Sequence, residues 1–277
     1  SFYLHPFEYV VDICYPAKLP PPLRGIEKMF ILLKISSKYD VIHFHWLSLL
    51  PEGCDVPLWK LLGKRIIIHH HGDDIRRKGE RRMYSKFADK IFVSTPDLLE
   101  WSPNAIWIPN PISLDKFPYI GVEHKDKSEY VNIVHAPSDR MIKGTEHVIK
   151  AVNKLKNEGY KINLLLVENT SYNKVIEYYK KADIAIDQVL IGWYGMFSIE
   201  CMALGKPVCV YIRDDLEPYM LFNPIMNTSP KNIVENLKIL IEDEKLRKEL
   251  GKKGRKYVEH LHDADKIAKK VTKLYDI

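Results

Sequence analysis

The stretch at 192–210, GWYGMFSIECMALGKPVCV, constrains this chain more than any other. An apolar run at 182–191, ADIAIDQVLI, precedes it and reads as a strand and its exit. Gly195 then permits a tight turn or a close approach of backbone. From Met196 to Leu204 the residues favour a helix, which Gly205 stops and Lys206-Pro207 keeps from resuming. A new strand follows at 208–212. A helix that begins straight after a strand points unpaired N–H groups and the positive end of its dipole at the crevice outside the strand ends, which makes a phosphate site. Glu200 lies one turn in, and its carboxylate, which only accepts hydrogen bonds, suits the two hydroxyls of a ribose.

The rest of the chain supplies the setting. Short apolar segments at 40–44, 64–69, 90–94 and 106–108 read as strands, with helices at 26–38, 56–62 and 84–89 between or before them. Ile66-Ile67-Ile68 is unbroken, as expected of a parallel sheet covered on both faces. The second half repeats the alternation, with strands at 131–135 and 161–167 and helices at 146–157 and 173–181. Beyond Ile212 a loop leads to helices at 230–242, 244–260 and 264–274. The pattern is α/β and doubly wound. The charged, irregular stretch at 113–130 reads as an interdomain linker. Expected domains are 1–117, 118–260 and a terminal helix at 261–277 that packs back toward the first. A Rossmann-like half opens with a strand and a glycine-rich turn, and the expectation is that about forty residues of that kind are absent from the first domain, leaving it incomplete.

Composition excludes several classes. With 277 residues, 46% of them hydrophobic, the chain can bury one large or two modest cores. No apolar run approaches the ~18 residues that span a bilayer, and no secretory leader opens the chain. Cys14, Cys54, Cys201 and Cys209 show no CxxC spacing, so a reducing, cytoplasmic setting is expected. The net charge of +6 is compatible with anionic ligands or a membrane surface. Arg76, Arg77, Lys78, Arg81, Arg82 and Lys86 form a basic run that reads either as a solvated face or as a peripheral contact with an anionic leaflet.

Two clusters carry chemistry. In HAPSDRMIKGTEH, Arg140 and Lys143 flank a loop between strand and helix, where charge-assisted contacts would neutralise a diphosphate. In KRIIIHHHGDD, His69 and His71 share one face of an extended strand and His70 the other, and His43 and His45 are paired in the same way. Two HxH pairs with Asp73 and Asp74 hold the residue types of a zinc site, but no third cluster completes a motif, and the expected metal set is none. The alternative is polar strand ends facing a crevice.

The stretch at 192–210 resembles the nucleotide-sugar signature of glycosyltransferase family 4, whose pattern is a Glu, seven residues, a second Glu, then a segment like AMALGKPV. Here the second Glu is Glu200, followed by CMALGKPV, and Gly192 stands where the first belongs. The resemblance runs from about Asp40 to His260, strongest over 133–147 and 182–212. It implies a GT-B fold, two Rossmann-like doubly wound domains facing a cleft, and a retaining, metal-independent transfer from a UDP-, GDP- or ADP-sugar with no further cofactor. It assigns Arg140, Lys143, Gly195, Met196, Phe197, Glu200 and Gly72 to the donor, with Gly72 letting backbone approach the ligand. His71 would contact the sugar or the developing charge, His45 and Asp73 the acceptor, and Asp187 or Gln188 would replace the missing Glu. Trp193 and Tyr194 would either shape the sugar pocket or pack. The implied acceptor is a glycan, a lipid-linked sugar or a small molecule, in envelope polysaccharide synthesis on the cytoplasmic side and without nucleic acid. A non-catalytic nucleotide-sugar-binding subunit and a nucleotide-sugar epimerase of the same fold are the alternatives.

Overall fold

The structure, a computed structural model, describes residues 24–36, 38–76, 78–122 and 130–275. The chain divides into two compact units, Ser1–Ile108 and Pro109–Ile277. The prolines at 20–22, Cys14 and Arg77 lie outside the described residues.

In the first unit, α1 (Arg24–Ser36) precedes β1 (Val41–His45), α2 (Val56–Leu61), β2 (Arg65–His70), α3 (Arg82–Phe87), β3 (Lys90–Val93) and β4 (Ile106–Trp107). The strands form one parallel sheet in the order β1-β2-β3-β4. One face is apolar: Ile42, Phe44, Ile66 and Ile68 pack with Val56, Trp59 and Tyr84 from the helices above. The loop after β1 is pinned by the buried Asp55, which accepts from Ser48 Oγ at 2.6 Å, the amides of Leu49 and Leu50, and Trp59 Nε1.

The second unit contains β5 (Val131–His135), α4 (Arg140–Lys143), α5 (Thr145–Asn157), β6 (Ile162–Leu166), α6 (Tyr172–Lys181), β7 (Ile184–Ile186), α7 (Met196–Ala203), β8 (Val208–Val210), β9 (Met226–Asn227), α8 (Ile233–Glu242), α9 (Glu244–Leu261) and α10 (Ala264–Tyr275). Its parallel sheet runs β6-β5-β7-β8-β9, so the chain winds one way from β5 to β6 and then reverses to β7. In open α/β sheets the crevice outside the strand ends at such a reversal is where ligands bind. Ile133, Val148, Leu155, Ile184, Ile186 and Leu237 centre the core. Each such aliphatic side chain, once fully buried, contributes roughly 1.5–3 kcal/mol.

Two expectations need correction. Residues 112–122 are not a free linker. Ile112 and Phe117 are buried, the Ile112 amide donates to His262 O, the Gly121 amide donates to Leu204 O, and Arg255 donates to Phe117 O. The segment is bound to the second unit by backbone hydrogen bonds that no local pattern announces. The stretch read as loop after Ile212 contains β9, a two-residue edge strand parallel to β8. The stretch at 182–191 is a strand and its exit as expected, with β7 three residues long and the exit held by the polar contacts of Asp187 and Gln188.

Helix α7 is buried almost all round, and α9 lies close against it. A Cβ on Gly251 would meet Gly205 O at 2.0 Å, and one on Gly254 would meet Met202 Cγ at 2.9 Å. Backbone cannot yield as a flexible side chain does. Gly251→Ala should therefore cost about 1–3 kcal/mol and lower Tm by roughly 3–10 °C in thermal unfolding, while Lys252→Ala on the exposed face should stay within about 0.5 kcal/mol of wild type. Equal melting of the two variants would show that the close contact carries no stability.

Candidate functional site

The reversal of the second sheet brings together residues that lie far apart in sequence. The chain leaves β5 at His135, passes through the short α4, and places Lys143 at its end. It leaves β7 at Ile186, and after Asp187 and Gln188 it enters α7 from Gly195. Lys143 Nζ lies 3.1 Å from Asp187 Oδ1 and 2.7 Å from Gln188 Oε1. The other oxygen of Asp187 accepts from the Gly195 amide at 3.0 Å and from Ser198 Oγ at 2.6 Å. A buried carboxylate thus ties the ammonium of one loop to the start of the helix. Burial alone would raise the Asp187 pKa, but the Lys143 charge, the Ser198 hydroxyl and the Gly195 amide outweigh it and hold the acid below the usual carboxylate range.

Gly195 leaves little room for a side chain. Its φ of −104° is open to any residue, but a Cβ would lie 3.3 Å from Lys143 Nζ and 3.5 Å from Asp187 Oδ2. With no cap side chain at Gly195, the first-turn amides of α7, those of Met196, Phe197 and Ser198, have no acceptor within the helix. Asp187 already answers the ammonium and the Gly195 amide, and the remaining N–H of Lys143 and the next helix-start amides are the donors that could meet a further anion.

Glu200 follows on the same helix, 4% exposed, and accepts from Tyr172 Oη at 2.7 Å. Burial lifts its pKa to about 7 against the pull of the Tyr172 hydrogen bond, and the Asp187 charge adds to the rise. His135, buried at the end of β5, bonds Ile186 O and Thr145 Oγ1 and braces the two strand ends. Arg140 sits at the start of α4, half exposed, with Glu168 at 3.5 Å and Glu146 at 3.6 Å. Lys143 and Gly195 therefore meet through Asp187, Glu200 lies further along the same helix against Tyr172, and Arg140 engages Glu146 and Glu168.

Asp187 and Gln188 do not stand in for the missing Glu. Asp187 is 2% exposed with both oxygens engaged, and Gln188 is held between Lys143 and Trp193 O. Both side chains are occupied by partners within the second unit. Gly192 has φ +97°, and a Cβ there would meet Arg213 Cγ at 2.4 Å, so no side chain fits where the family pattern has Glu. Trp193 and Tyr194 are packing residues. Their rings stack at 4.6 Å, and Tyr194 Oη bonds Tyr257 and His262. Ser198, His135 and Tyr172 join the network without having been marked out by the motifs of the sequence. Ser198 sits inside the motif, one turn into the helix, and could have been noticed; Tyr172 carries no local signal.

The first unit bears a second cluster. His45 pairs with His69 in the register of β1 on β2, so His43, His45, His69 and His71 share one face. The rings of His43 and His45, and of His69 and His71, stack at 4.5 Å, and Phe92 meets His43 and His69 edge-on. His45 Nδ1 lies 2.9 Å from His71 Nε2. Burial keeps the imidazoles neutral, lowering His43 to about 3 and His71 to about 4, with neighbouring histidines adding to the effect. Ligating atoms of His43, His45 and His69 lie within 4.8 Å of one another. Trp46, half exposed with φ +66°, lies against His71 at 4.7 Å.

The neighbouring expectations change accordingly. Asp74 bonds His70 Nδ1 at 2.5 Å on the opposite face and accepts from the amides of His71 and Gly72, while Asp73 is exposed. Gly72 offers no open approach for a ligand, because a Cβ there would meet Arg76 Nη1 at 2.4 Å and its φ is +128°. Arg76 itself is bound to the buried Asp97, and Arg81 lies near Glu52 and over the Tyr84 ring. Of the basic run, Lys78, Arg82 and Lys86 are the exposed members among the described residues. No helix among those residues is long and apolar enough to cross a membrane.

No family model matches the sequence. No curated protein matches it either. Solved structures do resemble the fold. Sucrose-phosphate synthase from Thermosynechococcus elongatus is 18% identical, with 95% of this chain and 81% of that chain aligned at a TM-score of 0.64. HepE from Anabaena, in complex with UDP-glucose, is 12% identical over 93% of this chain and 84% of its own, at 0.65. An alpha-glucosyltransferase in complex with UDP and a mismatched DNA 13-mer is 13% identical over 91% and 83%, at 0.60. At these identities the likeness establishes the fold: two parallel α/β units of the GT-B class.

The Glu200 carboxyl gives a test of this geometry. Folded, it keeps its proton up to about pH 7, whereas unfolded it loses it near its ordinary value of 4.5. Its contribution to stability is thus full below the unfolded value and falls as pH rises through that window, by roughly 3 kcal/mol at about 1.4 kcal/mol per pH unit. In urea titrations at pH 5 and pH 8, Glu200→Gln should lose less stability over the interval than wild type by about that amount. The difference between the curves cancels the opposing contribution of the neutral histidines. Parallel curves would mean that Glu200 is not held protonated.

Proposed function

We propose that this chain is a retaining glycosyltransferase of the family 4 type, moving a sugar from a nucleoside-diphosphate sugar to a glycan, lipid-linked or small-molecule acceptor. One observation carries the reading: at the reversal point of the second sheet, Lys143 and the open first turn of α7 stand together and are held there by Asp187. That is the charge and hydrogen-bond complement of a diphosphate. The likeness to structures bound to UDP and UDP-glucose supports the same reading.

The chemistry follows from the groups present. Lys143 has three N–H donors, and its contacts with Asp187 and Gln188 use two. The third, with the amides of Met196 and Phe197, would meet the diphosphate. As the bond from the anomeric carbon to the diphosphate oxygen breaks, negative charge grows on that oxygen, and donors fixed in advance stabilise it with little reorganisation. The departing oxygen takes the proton of the acceptor hydroxyl, so no separate base is required. Glu200 would accept from the ribose hydroxyls, and their hydrogen bonds favour its ionised form. Arg140 would exchange its long, exposed ion pairs, worth little in water, for a phosphate oxygen. His71 is assigned to the donor sugar, and His45 and Asp73 to the acceptor. The exposed Lys78, Arg82 and Lys86 are assigned to peripheral contact with an anionic leaflet.

A second reading, a nucleotide-sugar-binding subunit without catalysis, is favoured by Gly192, where backbone conformation and the Arg213 side chain exclude the expected carboxylate.

Calorimetry and thermal shift against UDP-, GDP- and ADP-sugars test the proposal. A donor at a hundredfold excess over its Kd should stabilise the protein by ~2.7 kcal/mol. Lys143→Ala should weaken donor binding tenfold or more, since a charge-assisted hydrogen bond is worth ~1.5–3 kcal/mol. Unchanged affinity in that variant would place the diphosphate elsewhere. Binding without transfer or donor hydrolysis would favour the second reading.

A further inference from the structure

The imidazole face of the first sheet presents a problem that the glycosyltransferase reading does not solve. His69 is 95% buried, and neither of its ring nitrogens meets a hydrogen-bond partner among the described residues. A neutral imidazole carries one N–H donor and one lone pair, and folded interiors rarely leave both unanswered. An ion or ordered water is the usual answer to such a group. Here the orphaned nitrogens do not stand alone. The ligating atoms of His43 and His45, brought alongside by the parallel register of β1 on β2, fall within 4.8 Å of one another and of His69.

We propose that His43, His45 and His69 bind one first-row divalent transition ion of the zinc type at the carboxyl ends of β1 and β2. Imidazole nitrogen selects zinc, cobalt, nickel or copper over magnesium and calcium, which take oxygen ligands. Three protein ligands with a fourth position left for water or another molecule is the count of an open zinc site. A tetrahedral zinc with bonds near 2.0–2.1 Å needs nitrogens about 3.3 Å apart, so the three rings must contract by roughly 1 Å or less, within reach of side-chain rotation. His45 also has the outer partner that ligating histidines require: its Nδ1 faces His71 Nε2 at 2.9 Å, which leaves the other nitrogen for the ion.

The surrounding groups refine the character of the site. Phe92 walls it edge-on from β3. The nearby carboxylate of Asp74 is turned to the opposite face and engaged by His70. The three ligands are therefore neutral, and a bound divalent ion would keep its full charge. Such a centre draws an anionic fourth ligand, such as hydroxide, carboxylate or phosphate. The site lies wholly on the first sheet and does not rest on the donor reading.

The test uses the full chain, prepared without a polyhistidine tag and stripped with a chelator. Titration with Co2+ should give ligand-field absorption that saturates at one ion per chain, and Zn2+ should displace the cobalt and raise Tm. His69→Gln should abolish the absorption. His45→Gln, at an exposed position that does not threaten folding, should weaken Co2+ binding at least tenfold. His147→Gln, an exposed histidine of the second unit, should bind as wild type. Absence of ligand-field bands in folded wild-type protein, or binding that His45→Gln leaves unchanged, would overturn the proposal and leave the cluster as hydrated, stacked imidazoles.

Discussion

The ion pair between Lys143 and Asp187 is the contact on which the arrangement of the second unit's crevice depends. It joins the exits of two adjacent parallel strands across the point where strand order reverses. Asp187 is buried and would be expensive to ionise alone. It stays charged because an ammonium, a hydroxyl and a helix-start amide all donate to it. A buried carboxylate so engaged cannot also serve a ligand. Its effect is to hold Lys143 and the first turn of α7 in a fixed relation. Under the proposed function, preorganisation of this kind would stabilise the charge that develops on the departing diphosphate.

The glycines around this contact make room for close approach, and at Gly192 also supply a positive φ. Gly195 lets Lys143 approach the helix start, Gly251 lets α9 lie against the turn after α7, and Gly192 yields its Cβ position to Arg213. At the last, the Arg213 stem occupies the place where the resembled pattern has a Glu. The polar groups behind the crevice, His135, Gln188 and Ser198, are internal braces with partners in place.

Much of this was legible in the sequence. The unbroken apolar strands, the amphipathic α5 and the strand, glycine, helix, strand order at 182–210 announced a parallel α/β sheet and a helix start at the strand ends. Lys143 and Glu200 could be chosen because each stands at a fixed offset from such a boundary. What could not be read were relations that exist only after folding. The pairing of Lys143 with Asp187 spans 44 residues. The backbone docking of 112–122 spans more than 80, as in the bond from Gly121 to Leu204. The guanidinium over Gly72 and the inward turn of Asp187 depend on neighbours that no periodicity reveals. The histidines are intermediate. Alternation along each strand gave the two pairs their common face, but the register that sets them beside one another comes from the sheet.

Amide chemical shifts of isotope-labelled protein, followed as UDP is added, test the central claim most directly. If the diphosphate rests against Lys143 and the open turn of α7, the largest and earliest changes fall on the amides of Met196, Phe197 and Ser198, with Gly195 and the α4 turn close behind. If those amides stay unmoved while changes gather elsewhere, as in the recess lined by Ile212, Met220, Phe222 and Asn227, the crevice at the sheet reversal is not the nucleotide site and the account fails.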